Sequence, residues 1–277
     1  MKRVALINDL SGVGRCSLSV ALPIISASGH ECAVLPTAVL SNHTAFPCYT
    51  FFDFTEYMEK YTECWSQLGI TFDAVYSGFL GSEHQIDIAL DFISRFGSNA
   101  LTLVDPVMGD DGKIYTTYNS VMLEHMKRLV SAADIITPNL TELCVLANTQ
   151  YPESITLEGV SELCRTVAKS GVGKIAVTGL ENSIVSDASS DKIINLVYDG
   201  GNISVLENEK VPTLYCGTGD VFASVLCGET VRGESFERAV KKAADFTELC
   251  TRDTYNHGGD RLYGVRFEDK LNLLGAF

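Results

Sequence analysis

The sequence predicts an α/β fold: a doubly wound, mainly parallel sheet flanked by helices, with small antiparallel strands as a cover or an edge. Two observations support this prediction. Short apolar runs alternate with longer amphipathic runs along most of the 277 residues. The short runs are almost continuously apolar, as in strands that are covered on both faces. Such strand–helix alternation is typical of parallel strands joined by right-handed crossovers.

Each predicted strand is a short apolar run. In chain order these runs are Val4–Ile7, Cys32–Leu35, Ala74–Tyr76, Leu101–Val104, Ile135–Thr137 and Ile175–Thr178. The predicted helices have apolar residues at helical spacing, and they are Leu18–Ala27, Phe54–Leu68, Ile86–Phe96, Val121–Val130, Thr141–Ala147, Leu157–Lys169, Gly217–Val231 and Ser235–Cys250. No Ser/Gly/Pro-rich linker or charge block divides the chain, so we expect a single domain over residues 1–277.

Two stretches interrupt the alternation. Leu35–Phe52 contains prolines, β-branched residues and aromatic residues without a helical period. Ser183–Glu207 contains three short strand-like pieces separated by turn residues, namely Ser183–Val185, Lys192–Val197 and Ile203–Leu206. Small antiparallel strands of this kind commonly cover an α/β core or extend one edge of its sheet.

The composition excludes several classes of function. The 21 Lys and Arg residues against 35 Asp and Glu give a net charge of −14, which disfavours binding to nucleic acids and acidic membranes. No apolar run approaches the roughly 18 residues of a membrane helix. The basic start turns polar at Asn8 and Asp9, too early for a signal peptide. The nine cysteines lie singly, without metal-site or disulfide spacing, so we expect reduced thiols in a cytoplasmic protein.

The strongest local motif is Gly217-Thr218-Gly219-Asp220, directly before a predicted helix. The glycines allow a tight turn in which successive backbone N–H groups converge, and the helix N-terminus adds positive potential. This arrangement suits a phosphate that is being transferred, and an adjacent carboxyl could accept a proton from the attacking hydroxyl. On its own, the motif is equally consistent with an ordinary loop followed by an acidic first turn.

Polar side chains also follow several predicted strands. Asp105 and Asp110 follow one strand, and Asn139 and Glu142 follow the next, where doubly wound folds bind ligands. Hard oxygen ligands at this edge suit Mg²⁺ shared with the phosphates of a nucleotide. Alternatively, Glu142 is the acid of a capping box with Asn139. Thr178 ends a further strand, where its hydroxyl could meet a phosphate.

The N-terminal loop admits a second interpretation. Gly12-Val13-Gly14 follows the first strand, as in a dinucleotide-binding loop, but Ser17 occupies the position of the third glycine. A nicotinamide-dependent enzyme is therefore weakly supported. His43 lies in a polar patch within an apolar stretch, where a turn residue is the simpler interpretation. A P-loop motif and the serine-hydrolase and metalloprotease motifs are missing from the sequence.

Taken together, these ordered motifs resemble the ribokinase superfamily. The segments Ser41-Asn42-His43-Thr44 and Ser77-Gly78-Phe79 resemble the vitamin B6 kinases within it. The resemblance extends over most of the chain and implies phosphorylation of the 5′-hydroxymethyl group of pyridoxal, pyridoxine or pyridoxamine, with ATP and Mg²⁺. It also implies a homodimer and, as in many relatives, a monovalent cation such as K⁺.

The resemblance assigns roles to residues of this chain. Asp220 is the expected base, and the backbone amides of Gly217, Thr218 and Gly219 are the expected anion hole. The metal and phosphates are expected to be held by Asp105, Asp110, Asn139 and Glu142, with Asp105 and Glu142 as the metal ligands, while Thr178 contacts the nucleotide. The pyridine pocket is expected to be lined by Asp9, Ser11, His43, Thr44 and Phe79.

Two departures leave the acceptor open. The Asp9-Leu10-Ser11-Gly12 loop replaces the Ser-His-Val that is common in vitamin B6 kinases, and it looks closer to the hydroxymethylpyrimidine kinases of thiamine synthesis. Phe79 replaces a frequent tyrosine. Hydroxymethylpyrimidine kinase is therefore the first alternative. A non-catalytic protein that binds a B6 vitamer or a nucleotide is the second, because a fold alone does not guarantee activity.

Overall fold

The computed structural model describes residues 1–187 and 191–275. Its strands are β1 (Arg3–Ser11), β2 (Glu31–Leu40), β3 (Phe51–Asp53), β4 (Ala74–Ser77), β5 (Leu101–Val104), β6 (Gly109–Asp110), β7 (Lys113–Ile114), β8 (Ile135–Ile136), β9 (Lys174–Glu181), β10 (Lys192–Asp199) and β11 (Asn202–Glu209). Its α-helices are α1 (Leu18–Ala27), α2 (Thr55–Gln67), α3 (Glu83–Phe96), α4 (Ser120–Ser131), α5 (Leu140–Leu146), α6 (Leu157–Ala168), α7 (Thr218–Arg232) and α8 (Phe236–Asn256).

Nine strands form one mixed sheet in the order β11-β10-β9-β8-β5-β4-β1-β2-β3. The six strands from β9 to β2 in this order are parallel to their neighbours, while β3, β10 and β11 pair antiparallel at the two edges. Strands β6 and β7 form a separate small hairpin. The predicted fold class is confirmed, and the carboxyl ends of β1, β4, β5 and β8 meet at one edge of the sheet.

The helices cover both faces of this sheet. On one face, α1, α7 and α8 bury a cluster that includes Leu6, Tyr76 and Val225. On the other face, helices α2 to α6 bury a second cluster that includes Ile7, Phe92 and Leu143. The alternation of side chains along each strand explains why neighbouring residues such as Leu6 and Ile7 belong to different clusters.

Most differences from the sequence prediction concern the edges of the sheet. Residues 183 and 184 lie in a turn and Val185 forms a single bridge with Ile155, so the predicted strand Ser183–Val185 is wrong. The other two predicted pieces are β10 and β11, which extend the sheet edge. Residues 188–190 of this stretch lie outside the described residues. Within Leu35–Phe52, β2 continues to Leu40 past Pro36, beside an irregularity in its pairing with β1.

Two expectations from composition can be compared with the structure. All nine cysteines are free thiols, and Cys48 and Cys64 are exposed. Among the helices in residues 1–187 and 191–275, none is both long and apolar enough to cross a lipid bilayer.

Candidate active site

The start of α7 brings the Gly217–Asp220 motif against the N-terminal loop. Gly217 has a φ of 76°, and a Cβ atom at this position would lie 1.9 Å from the carbonyl oxygen of Arg15. Only glycine therefore fits this close approach without moving the backbone. The backbone amides in the first turn of a helix have no intrahelical partners. Because no side chain caps α7 either, its first amides are available to an anion.

Asp220 lies in the first turn of α7, near Asp9 on β1 and Asp105 after β5. Burial raises its pKa to about 7, and repulsion from Asp105 and Asp9 acts in the same direction. The backbone N–H of Ser17 and the side chain of Asn8 favour the ionised form and partly oppose this increase. A carboxyl with this pKa can accept a proton near neutral pH, as a general base requires.

Ser17 adopts an uncommon conformation to reach this carboxyl. Its φ is 51°, in the left-handed region that residues with a side chain seldom adopt. Residues in such conformations cluster at functional sites, where the surrounding structure holds them in place. The result here is a backbone N–H donor at Asp220.

Asp105 follows β5 and is buried. The hydroxyl of Thr137 donates a hydrogen bond of 2.9 Å to its Oδ1 atom. Burial raises the pKa of Asp105 to about 6, and the hydrogen bond from Thr137 opposes this change. The sequence-predicted acids Asp105 and Asp220 are thus brought together, close enough for the charge of Asp105 to raise the pKa of Asp220.

Glu142 has a structural role that the sequence left as one of two alternatives. Its Oε1 accepts the N–H of Met108 at 3.0 Å, and its Oε2 accepts the N–H of Asn139 at 2.9 Å. Asn139 completes a capping box, because its Oδ1 accepts the N–H of Glu142, and its Nδ2 donates to the carbonyl of Gly109 at 2.8 Å. The capping-box interpretation is confirmed, and this pair holds the loop after Asp105 in place.

The acids at this edge also fit a divalent cation. Burial, and then repulsion from Asp105, raises the pKa of Glu142 well above its usual range, and a cation between the two would relieve this repulsion. Asp105 and Glu142 supply the carboxylate oxygens that Mg²⁺ prefers. Within the described ranges, no three His, Cys, Asp or Glu side chains are grouped to hold a metal. The two acids therefore suit an ion that is shared with a bound triphosphate.

A crevice runs from α7 along β9 to β11 and α8. It is lined by Thr178, Glu181, Asn195, Tyr215, Thr218 and Thr247, among others. It opens beside the Gly217–Asp220 motif, as a nucleotide site would. Asp110 lies on the β6–β7 hairpin, where partial desolvation raises the pKa of its carboxyl. Repulsion from Asp111 and from Glu181, which lines this crevice, acts in the same direction.

The residues predicted for the acceptor pocket lie at the ends of β1 and β4 and in the loop after β2. Asp9 is buried, its pKa is raised by burial, and it accepts a hydrogen bond of 3.3 Å from the hydroxyl of Ser11. Phe79 is partly buried next to Gly78, and Thr44 is exposed. His43 is occupied by the backbone: Nε2 contacts the carbonyl of Leu262 at 2.6 Å, and Nδ1 accepts the N–H of Ala45.

Comparison with known proteins identifies the family. The model of the family described as "Phosphomethylpyrimidine kinase" matches residues 54–263 of the chain. The chain belongs to this kinase family. Its resemblance to the vitamin B6 kinases and their ribokinase-like fold is confirmed by its relatives, such as a pyridoxal kinase of Rubrobacter xylanophilus, which is 27% identical over 93% of this chain and 89% of that protein.

Two further relatives also match most of this chain. A Bacteroides thetaiotaomicron protein, assigned to the phosphomethylpyrimidine kinases and crystallised with pyridoxal, is 38% identical and superposes with a TM-score of 0.92 over 99% of this chain and 95% of its own. The thiamine biosynthetic bifunctional enzyme TH1 of Arabidopsis thaliana is 30% identical over 86% of this chain and 44% of the plant protein.

Three residues near the candidate site were missed by the sequence analysis. In the sequence, Asn8 follows the predicted strand Val4–Ile7, Tyr115 lies in no predicted element, and Thr247 lies within the predicted helix Ser235–Cys250. The pKa of the Tyr115 hydroxyl is raised by burial and by Glu142 and other carboxyls of the site, which places it near them. No local pattern marks these residues, because their positions depend on contacts between distant parts of the chain.

Proposed function

We propose that this protein phosphorylates the 5′-hydroxymethyl group of a B6 vitamer (pyridoxal, pyridoxine or pyridoxamine), using ATP. The observation that carries this proposal is the position of Asp220. Its carboxyl, with a pKa of about 7, lies in the first turn of a helix with uncapped amides, beside the buried Asp105. A proton acceptor next to an anion site is the requirement of phosphoryl transfer to an alcohol.

In the proposed reaction, Asp220 accepts the proton of the acceptor hydroxyl. The hydroxyl oxygen then forms a bond to the γ-phosphorus of ATP as the bond to the bridging oxygen breaks, and ADP leaves. The amides of Gly217, Thr218 and Gly219 stabilise the negative charge on the transferring group. Asp105 and Glu142 would hold Mg²⁺, which supplies charge neutralisation for the triphosphate.

The remaining predicted residues divide between the two substrates. Thr178 lines the crevice proposed for the nucleotide, and Asp110 lies on the hairpin beside it. Asn139 contributes by holding Gly109 of that hairpin. Around the acceptor ring we place Asp9, Ser11, His43, Thr44 and Phe79. His43 acts there through its backbone contacts with residues 45 and 262, which fix the loop that carries Thr44.

Hydroxymethylpyrimidine is the second candidate acceptor. Its support is the Asp9–Gly14 loop, the family model and the thiamine biosynthetic relative. Pyridoxal is favoured because the Bacteroides thetaiotaomicron relative was crystallised with it and because the Rubrobacter xylanophilus relative is a pyridoxal kinase. Both acceptors present a hydroxymethyl group on an aromatic heterocycle, so the same base and anion site serve either one.

The test compares kcat/KM for pyridoxal, pyridoxine, pyridoxamine and hydroxymethylpyrimidine at saturating ATP and Mg²⁺. We expect at least one B6 vitamer to exceed hydroxymethylpyrimidine by tenfold or more. A preference for hydroxymethylpyrimidine would reverse the order of the two candidates. Binding of a vitamer without release of ADP would instead support the non-catalytic alternative.

Several properties implied by the resemblance remain predictions. A homodimer would show as twice the chain mass in light scattering. Dependence on K⁺ would show as a loss of turnover when Na⁺ or tetramethylammonium replaces it. The cytoplasmic location predicted from the cysteine pattern can be tested by fractionating cells.

A further inference from the structure

Asn8 is a buried amide whose orientation is fixed by the backbone. It lies near the end of β1 with 2% of its surface exposed. Its Oδ1 accepts two hydrogen bonds, from the N–H of Phe79 at 2.9 Å and from the N–H of Asp9 at 3.0 Å. Because both donors require an oxygen, the amide cannot be reversed, and Nδ2 must point the other way.

Gly78 makes room for this amide. A Cβ atom at position 78 would lie 2.3 Å from Nδ2 of Asn8 and 2.6 Å from its Cγ. Any larger residue would therefore displace the Asn8 side chain. The close packing of Asn8 over Gly78 therefore leaves the amide little room to move.

Among the residues that the structure describes, Nδ2 of Asn8 has no hydrogen-bond partner. A buried N–H group without an acceptor lowers the stability of the folded protein, so its presence at this position calls for an explanation. The Asn8 side chain partly opposes the increase in the pKa of Asp220, so the two side chains lie near one another. The Nδ2 donor of Asn8 is thus available to the proposed base.

Besides Asn8, the groups around Asp220 are two acids, a backbone N–H and a buried tyrosine. Asp9 on β1 and Asp105 after β5 repel its charge, and Ser17 at the start of α1 supplies a backbone N–H. The hydroxyl of Tyr76 on β4 is fully buried on the same side of the sheet. Ser17 and Asn8 are therefore the groups that favour the ionised form of this carboxyl beside two neighbouring acids.

We propose that Asn8 is a positioning residue that aims the Asp220 carboxylate at the acceptor hydroxyl and fixes it relative to Phe79. This inference rests on the proposed function, because it assigns Asp220 as the base. The same amide binds the backbone of Phe79, beside the acceptor ring, and faces Asp220. One side chain thus sets the distance between the acceptor and its base, on which general-base catalysis depends.

The first test is Asn8→Asp, which keeps the acceptor oxygen for Phe79 and Asp9 but removes the donor that faces Asp220. We expect kcat to fall about 10- to 100-fold, the effect of losing a hydrogen bond to a charged group. We expect KM for ATP and the affinity for ADP to change less than threefold. Equal losses in kcat and ADP affinity would indicate general damage and overturn the proposal.

Asn119→Asp is the matched control. Asn119 also accepts a backbone N–H, from Met122 at 2.9 Å, and also donates to a carboxylate, that of Glu83 at 2.9 Å. It caps α4 on the protein surface, outside the crevice. We expect kcat of this variant to stay within twofold of the wild-type value. A loss as large as that of Asn8→Asp would contradict a role specific to Asn8.

Gly78→Ala provides an independent variant that leaves Asn8 chemically intact. The added methyl should displace the amide from its position and lower kcat without a large change in ADP affinity. If Gly78→Ala and Asn8→Asp act through the same amide, the fold-decrease in kcat of the double variant is much smaller than the product of the two single fold-decreases. If the fold-decreases in kcat of the two single variants multiply in the double variant, the proposal is overturned, even if Asn8→Asp folds poorly.

A crystal structure of Asn8→Asp supplies a result that does not require turnover. We expect the Asp220 carboxylate to turn away from its wild-type position while α7 and the crevice are unchanged. An unmoved carboxylate would overturn this inference. Absence of wild-type turnover with all four acceptors would overturn the proposed function instead, so the two failures are distinguishable.

Discussion

At the residue scale, the pKa of Asp220 sets an expected pH dependence of catalysis. Burial and repulsion from Asp105 and Asp9 raise this pKa to about 7, and a base must be ionised to accept a proton. We therefore expect kcat to fall as the pH decreases through about 7. Asp220→Asn should lower kcat by about 10²- to 10⁴-fold and abolish this dependence, while ADP affinity is retained. Near-normal turnover of the variant would remove Asp220 from the mechanism.

The same carboxyl should destabilise the folded protein at high pH. Because its folded pKa is above its unfolded value of 3.8, the folded state binds more protons between pH 3.8 and 7, and stability decreases as the pH rises. Without nucleotide, Asp220→Asn should raise Tm at pH 8, and the gain should shrink toward pH 4. Asp91→Asn, at a partly exposed carboxylate on α3, is the control. An unchanged or lower Tm at pH 8 would contradict this expectation.

At the element scale, the conformation at the start of α7 requires glycine at position 217 but not at position 219. Gly217→Ala places a Cβ 1.9 Å from the Arg15 carbonyl oxygen, whereas a Cβ at Gly219 meets nothing within 4 Å. We expect Gly217→Ala to destabilise the protein by about 1–3 kcal/mol or more, since both the overlap and the left-handed φ are unfavourable. Gly219→Ala should leave Tm unchanged or higher. Thermal unfolding of the two variants measures the difference, and equal Tm values would be inconsistent with this geometry.

Sequence patterns predicted well the helices and strands in which apolar residues recur in a regular pattern. The helices and central strands bury continuous apolar faces, and their ends shift by a few residues where caps such as Ser82 extend them. The strand β3 has three exposed residues and no such pattern, so it was missed. Glu142 was compatible with metal binding and with capping, and only the positions of Met108 and Asn139 show that both its oxygens accept backbone N–H groups.

The role of Asn8 was not predicted, because the backbone N–H of Phe79, which its side chain binds, is 71 residues away in the sequence.

At the scale of the whole molecule, helices α7 and α8 from the C-terminal half pack against the central strands β1 and β4 from the N-terminal half. The first strand, β1, lies inside the sheet between β4 and β2, and α1 packs against α7 from the C-terminal half. Arg232 on α7 donates to the carbonyls of Ser28 and Leu274, which joins the start of the chain to its end. Unfolding of either half alone would expose the apolar faces that α1 and α7 bury against each other. This arrangement supports the proposal of a single domain over residues 1–277.

We therefore expect one cooperative unfolding transition. Trp65, the one tryptophan of the chain, packs on Phe72 and Phe92 on one face of the sheet, whereas the buried thiol of Cys250 on α8 lies on the other. Urea midpoints from Trp65 fluorescence and from thiol labelling of Cys250 should coincide. The exposed Cys64 should label without urea. Excess ADP should shift both midpoints equally, because a ligand of the folded state stabilises the entire cooperative unit. Two separate midpoints, or a shift of one alone, would show two units that unfold independently.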